Sequence, residues 1–338
     1  MKASPELPTY KVYVVADEKK YNITTALEGL AFSDQQKQIS QRATIQLYNQ
    51  NEGSSRLSDL IPVGSRVFIY ANDGSKEDEV FRGFVWTRSN KSAIDSRSLE
   101  LKCYDNLIYL QESDDSFYFE PGQWRTHEIF EYICLKWRIK CQFDKACSII
   151  HGKLVLRGKL ADILTTDLLD SVKAKSLPRK KPIILGIKDE LHVKQIGTNS
   201  TVYRFLAEKN TLSTSSTCTM DGMVTKVIIM GKADSDDREP LEATVTGDTS
   251  TYGTIQKIVD RDESMTLAEA KKEAQTIIDE NGTPKWEYEM QAPNNPWIRK
   301  GDKIYVNAGD LTGYYIVAGI DRSINNKKRT MTLSLEKE

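Results

Sequence analysis

The strongest constraint on this chain is a phrase that it uses twice. Gly64 opens a run, Val67-Phe68-Ile69-Tyr70, that reads as a strand. Asn72, Asp73 and Gly74 form a turn, and Val80 to Trp86 reads as a second strand. A polar turn from Arg88 to Arg97 leads to a third, Leu99 to Cys103. β-Branched and aromatic runs bounded by Gly, Asn, Asp and Ser predict a meander. The phrase returns near the C-terminus. Gly301-Asp302-Lys303-Ile304-Tyr305-Val306 matches the first strand, and Gly313 to Ser323 matches the second with its Arg88-Ser89 exit. Thr330 to Glu336 matches Ser98 to Cys103. The second copy is three residues shorter between its glycine and its Arg-Ser pair, as one tighter hairpin would produce. Strand-turn-strand grammar is common, so the ordered match carries the reading: one small β-unit used twice.

A chain of 338 residues holds two or three domains and can bury a core. Charged residues make up 28% and hydrophobic ones 39%, a soluble globular balance. With 47 basic and 48 acidic residues the net charge is −1, so no global field draws the chain to nucleic acid or an anionic membrane. The N-terminus lacks a signal-peptide core, and no window approaches a membrane span. Five cysteines, Cys103, Cys134, Cys141, Cys147 and Cys218, fit a reduced cytosolic protein better than a disulfide framework.

In chain order, residues 1–8 read as a flexible tail with Pro5 and Pro8. Residues 9–112 hold six or seven short strands and read as a first β-barrel. The period then changes. Ile129, Phe130, Ile133, Cys134 and Trp137 fall at helical spacing from Thr126, and a second helix covers about 160–174 with Ile163, Leu164, Leu168 and Val172 on one face. After a basic break, Pro178 to Pro182, a hairpin runs from Ile183 to Val193. Residues 113–212 thus read as an inserted small α+β domain, placed laterally. Thr211 to Thr219 is a polar joint or edge strand, and Asp234 to Glu239 a charged hairpin tip. Thr266-Leu267-Ala268-Glu269 is a capping box that opens a helix over about 266–282. Residues 213–338 read as a second β-barrel with that one helix inserted. The fold class is mainly β (α+β): two related tube-like β-barrel domains plus the insertion.

Chemistry is sparse. His127, His151 and His192 form no metal-binding pattern. Cys134, Cys141, Cys147 and His151 are spaced by six, five and three residues, wider than usual zinc pairs, and read as buried thiols. No nucleophile elbow, P-loop or dinucleotide fingerprint occurs. Acid pairs such as Asp114-Asp115 carry no specificity by themselves. Arg179-Lys180-Lys181 is too short for a nucleic-acid site. No catalytic, cofactor or metal residue is assigned, and the chain reads as a non-enzyme.

The sequence resembles the central baseplate hub proteins of contractile phage tails, in particular the XkdQ-like hubs of PBSX-type Bacillus prophages and of related Clostridial phages or tailocins. The resemblance covers most of the chain. It rests on Leu27-Glu28-Gly29, on Gly64 with Phe81-Arg82-Gly83, and on Cys103 to Leu110. Tyr252 to Gln256, the alanine-bearing helix after Thr266, and Thr330 to Leu333 continue it. It implies a homotrimer whose six barrels join a hexameric tail tube to a trimeric spike, without cofactors. Baseplate wedge and LysM-type tail proteins are further partners it suggests. The protein would be made in the bacterial cytoplasm and assembled into a phage tail or tailocin baseplate. Ring and tube contacts are expected through the duplicated units: Gly64, Phe68, Phe81, Gly83, Gly301, Tyr305, Gly313 and Tyr315. A tail-associated peptidoglycan hydrolase or wall-binding protein is the alternative. A type VI-like spike would need a β-helical extension, which the sequence does not show. Nor is a fused lysozyme domain visible.

Overall fold

The computed structural model describes residues 7–36, 38–93, 96–175, 181–232, 239–261, 265–325 and 328–338. The chain forms two compact units, Met1–Ser215 with Glu289–Glu338, and Ser216–Tyr288. The first begins with β1 (Thr9–Ala16), whose alternation turns Tyr10, Val12, Val14 and Ala16 inward. Then follow β2 (Lys19–Asn22), β3 (Leu27–Asp34), β4 (Arg42–Tyr48) and a two-residue hairpin, β5 (Asn51–Glu52) and β6 (Ser55–Arg56). β7 (Arg66–Asn72), β8 (Glu77–Ala93) and β9 (Ser96–Tyr104) are the expected meander. The neighbours run β2-β1-β7-β8-β9-β4-β3. Val12, Val14, Ile45, Leu47, Val67, Ile69, Leu99 and Leu101 fill the core between them. Burying each such side chain contributes roughly 1.5–3 kcal/mol.

The expected polar turn from Arg88 to Arg97 is instead ladder. Arg88 pairs with Leu101 and Lys91 with Ser98, so the hairpin continues to Ala93 and Ser96. From Trp86 to Ser92 this half of β8 buries no apolar side chain of its own, so its sequence carries no alternation to read.

The α+β segment lies in the same compact unit. β10 (Asp114–Phe119) pairs with β12 (Leu154–Lys159), and β11 (Lys140–Phe143) lies parallel to β14 (Glu190–Gln195), which pairs with β13 (Pro182–Ile187). The helix Thr126–Lys136 opens where the Arg125 amide donates to the Glu128 carboxylate, 2.7 Å. It buries Ile129, Phe130, Ile133 and Cys134. The helix 160–175 widens to π geometry over Ile163–Leu169, and its predicted face, Ile163, Leu164, Leu168 and Val172, is buried. These helices share a core with Leu107, Leu110 and Ile39. Of the basic break, Pro178 to Lys180 lie outside the described residues, and Lys181 and Pro182 lie within them. β15 (Tyr203–Leu206) ends the segment.

The second unit is small. After β16 (Ser213–Thr219), β17 (Lys226–Met230) lies between β18 (Leu241–Thr246) and β19 (Gln256–Asp260). The capping box closes as read: the Thr266 hydroxyl accepts from the Glu269 amide, 3.3 Å, and the Glu269 carboxylate from the Thr266 amide, 2.8 Å. The helix Leu267–Asn281 lays Ala270, Ala274 and Ile278 on Val227 and Ile229. The sequence grouped this helix with the C-terminal meander; in the structure it packs on these three strands. Of the charged tip, Asp234 to Glu239, only Glu239 lies within the described residues.

β20 (Lys285–Pro293) leads the chain back, and β21 (Lys303–Ala308), β22 (Leu311–Asn325) and β23 (Arg329–Lys337) form the second meander. β22 is the joint of the sheet. Its first half pairs with β21, from Ala308↔Leu311 to Lys303↔Ile316. Its second half pairs with β3, from Ile320↔Asp34 to Asn325↔Gly29, while β23 lies along its other edge. Two six-strand runs then share one neighbour order: β1-β7-β8-β9-β4-β3 and β15-β21-β22-β23-β20-β16. They differ at one end, where β1 is antiparallel to β7 but β15 is parallel to β21.

Candidate functional site

The eight residues singled out by the repeat lie at its corners and middle strands. Gly64 and Gly301 both have φ +86°, a conformation that favours glycine. Each corner closes with the same bonds. Gly64 N donates to Val85 O and Gly301 N to Val317 O, both 2.7 Å. Val85 N returns to Ser65 O and Val317 N to Asp302 O, both 2.9 Å. A bulge follows each, between Val85 and Thr87 and between Val317 and Gly319. The bulges equate Arg88 with Ile320 rather than with Arg322, a slip of two residues from the sequence match. A two-residue slip keeps every side chain on its face, so periodicity cannot detect it. The second hairpin is also shorter than the three-residue difference implied: Arg66 to its partner Phe84 spans 18 positions, and Lys303 to Ile316 spans 13.

The eight residues do not form one surface. Phe81 and Tyr315 are core side chains. Gly83 is buried because a Cβ there would lie 2.1 Å from the Tyr104 carbonyl oxygen. Gly301 is buried under Ile183, whose Cγ2 lies 3.1 Å from where a Cβ would stand. Gly64 is exposed, with open space around it, and Phe68, Tyr305 and Gly313 are half-exposed.

Phe68 belongs to a charged aromatic seam. The Arg66 and Arg82 guanidinium groups stand 5.5 and 5.2 Å from its ring centroid. Arg82 makes a two-point pair with Glu79, 2.8 Å each. Arg66 also bonds Asp189, at the tip of the β13–β14 hairpin. That tip, Lys188-Asp189, has φ of 50° and 69°, a tight turn without glycine. Lys188 bonds Asp78 at 2.9 Å. The seam fixes the α+β segment on the first meander.

The least expected feature is an interior charge cluster beside the β22–β3 joint. Lys300 is 2% exposed. Its Nζ lies 2.7 Å from Asp34 Oδ1 and donates to the carbonyls of Gln35, 3.0 Å, and Gln38, 2.8 Å. Gln41 Nε2 donates to the other Asp34 oxygen, 3.0 Å. Buried Asp105 accepts from the Gln41 and Leu107 amides, 3.1 Å each. Burial, reinforced by the Asp34 charge, pushes the Asp105 carboxyl up to about 7. A Cβ at Gly186 would stand 2.1 Å from Asp105 Oδ2, so only glycine lets β13 pass. Arg322 reaches the Asn295 carbonyl at 3.3 Å and that of Ile298. A cavity of about 30 Å³ lies here, lined in part by Tyr10, Asp34, Gln41 and Arg322. No sequence signal marked this cluster, because Lys300 and Asp34 are remote in the chain.

The histidines and cysteines serve local structure. His151 Nε2 bonds the Thr126 hydroxyl and His127 Nδ1 that of Ser148, both 2.8 Å. Cys134 is buried, and its hydrogen bond to Cys141, together with that burial, raises its pKa. Among the described residues no three His, Cys, Asp or Glu side chains are grouped to hold a metal. Among the described residues no helix is long and apolar enough to cross a membrane.

A mainly β chain with two joined meanders and an α+β segment has the fold of phage tail proteins. The 43 kDa tail protein of prophage MuSo2 from Shewanella oneidensis matches with a TM-score of 0.69 at 14% identity, over 97% of this chain and 98% of that one. The tail protein of Neisseria meningitidis MC58 matches equally, 0.69 at 13% identity and 97% of each chain. The E. coli c3393 protein, a type VI secretion component described as similar to the T4 tail proteins gp27 and gp5, matches at 0.54 and 9% identity, over 92% of this chain and 73% of that one. The chain itself belongs to the YQBQ-like family, whose model matches residues 30–336. No curated protein matches it in sequence.

Proposed function

We propose that this chain is a non-enzymatic structural hub of a contractile tail baseplate. The observation that carries the reading is the pair of six-strand runs in one neighbour order, joined through β22 and β3. Each run is one tube-like barrel. A homotrimer then presents six barrels, which match a hexameric tail tube on one side and a trimeric spike on the other. The α+β segment, fixed by the Asp189 seam, faces other baseplate proteins, with wedge and LysM-type tail proteins as candidates. The particle is a phage tail or a tailocin, assembled in the bacterial cytoplasm. Family membership and the fold shared with phage tail proteins support the tail role.

The test is assembly. Purified protein, alone and with tail tubes, is weighed by mass photometry and imaged. A three-chain ring capping the tube is expected. A protein that stays monomeric in both conditions, or one that clears peptidoglycan in a zymogram, would overturn the reading.

A further inference from the structure

The seam between the first meander and the α+β segment opens into a cleft of about 440 Å³, a size that takes small ligands. Three residues that line it, Arg66, Asn106 and Asp189, each carry a buried polar atom without a hydrogen-bond partner: Nε, Oδ1 and Oδ1. Such atoms are rare and call for a partner. The seam itself uses the other ends of these groups. Arg66 meets Asp189 through a terminal nitrogen and Oδ2, and the Asn106 amide nitrogen donates to the Asp189 carbonyl. That last bond fixes Asn106 Oδ1 as an acceptor.

Backbone strain gathers at the same cleft. Arg138, Lys188 and Asp189 line it with φ of 56°, 50° and 69°. Arg138 follows the helix Thr126–Lys136. Its amide donates to Leu135 O, 3.0 Å, and the Ile139 amide to Cys134 O, 2.9 Å. This closing turn ordinarily takes glycine. Here it brings a cation to the cleft, and among the described residues no carboxylate lies within ion-pair distance of Arg138. The other lysines are committed: Lys188 bonds Asp78 at 2.9 Å, and Lys140 stands 3.9 Å from Glu190.

The unpartnered atoms select the ligand. Arg66 Nε only donates, whereas Asn106 Oδ1 and the Asp189 carboxylate only accept. A simple anion would suit the first and be repelled by Asp189, and a cation would do the reverse. Hydroxyls donate and accept, so the neighbouring hydroxyls of a sugar meet all three. The C–H faces of a sugar pack on rings, and Phe84, Tyr109 and Trp137 line the cleft. Tyr109 is exposed, 5.8 Å from Phe84 and 6.1 Å from Trp86. Trp86, also exposed, sits in the bulge between Val85 and Thr87, a device that re-aims a side chain.

We propose that this cleft binds a saccharide bearing a carboxylate or phosphate group. Its hydroxyls meet Arg66, Asn106 and Asp189, a ring face lies on Tyr109, and the acidic group meets Arg138. The site goes beyond the hub reading and does not depend on it.

The full chain is screened on an array of neutral and acidic bacterial surface saccharides, and binding is titrated by calorimetry. An acidic saccharide is expected to bind, and its neutral counterpart more weakly. Tyr109→Ala and Arg138→Gly should each weaken binding about tenfold. Glycine suits the positive φ at 138, so Arg138→Gly should melt no lower than the native protein. A merely structural arginine would give the opposite, a lower melting temperature with binding unchanged. Failure to bind any saccharide, equal binding of the neutral counterpart, or equal displacement by inorganic phosphate or a polyglutamate peptide overturns the proposal and leaves the hub reading standing.

Discussion

At the scale of single residues, the interior charges dominate. Lys300 and Asp34 are both almost fully buried and satisfy one another. Removing one partner strands the other in the interior. Lys300→Met should therefore cost about 3–5 kcal/mol, read from urea unfolding, whereas Lys300→Met with Asp34→Asn should cost less than the single change. Asp105 gives a pH signature. Its folded carboxyl is raised to about 7 from 3.8, so it contributes stability below pH 3.8 that is lost as the pH rises through 7. Asp105→Asn should remove that slope. The unfolding midpoint of the native protein should fall relative to the variant between about pH 4 and pH 7, and a constant difference would refute the assignment. The glycine corners separate conformation from packing. Gly64→Ala meets no neighbour and should cost about 1–2 kcal/mol from its positive φ alone. Gly301→Ala has the same φ and also presses on Ile183, so it should cost more.

At the scale of elements, the sequence was most legible where one face is buried and one is wet. β1, β4 and β7 alternate cleanly, and β7 extends the Val67–Tyr70 run read from the sequence by no more than two residues at either end. The helices at 126–136 and 267–281 announced themselves by apolar spacing and, in the second, by a capping box. Thr266→Ala should cost about 1 kcal/mol and lower the melting temperature of the smaller unit first. The outer hairpin of β8 and β9 was not legible, because from Trp86 to Ser92 its first strand buries no apolar side chain. The Arg88–Arg322 match failed by two residues for a related reason: pattern records facing, and facing repeats every second residue. The charge cluster was illegible altogether. Lys300 in the run Arg299-Lys300-Gly301-Asp302 looks like any solvated turn, and only folding brings it to Asp34. Of the eight residues read as contacts, the sequence found the corners of the repeat but could not tell the open corner at Gly64 from the covered one at Gly301.

At the scale of the whole molecule, two compact units with separate cores should unfold separately. Calorimetry is expected to show two transitions, the smaller abolished by Ala274→Asp, which puts a charge against Val227 and Ile229. A single transition that the substitution shifts as a whole would contradict this. The larger unit contains both meanders, and β22 makes it mechanically particular. Its 15 residues span about 50 Å, and one continuous strand serves as ladder to β21, to β3 and to β23. The two meanders therefore cannot slide past one another smoothly. The ladder permits displacement only in steps of two residues, about 7 Å, since a single step would turn every inward side chain outward. Load along the strand is met in shear, by all its hydrogen bonds at once, rather than one at a time as in unzipping. A joint of this kind holds its setting until a force large enough for a whole step arrives.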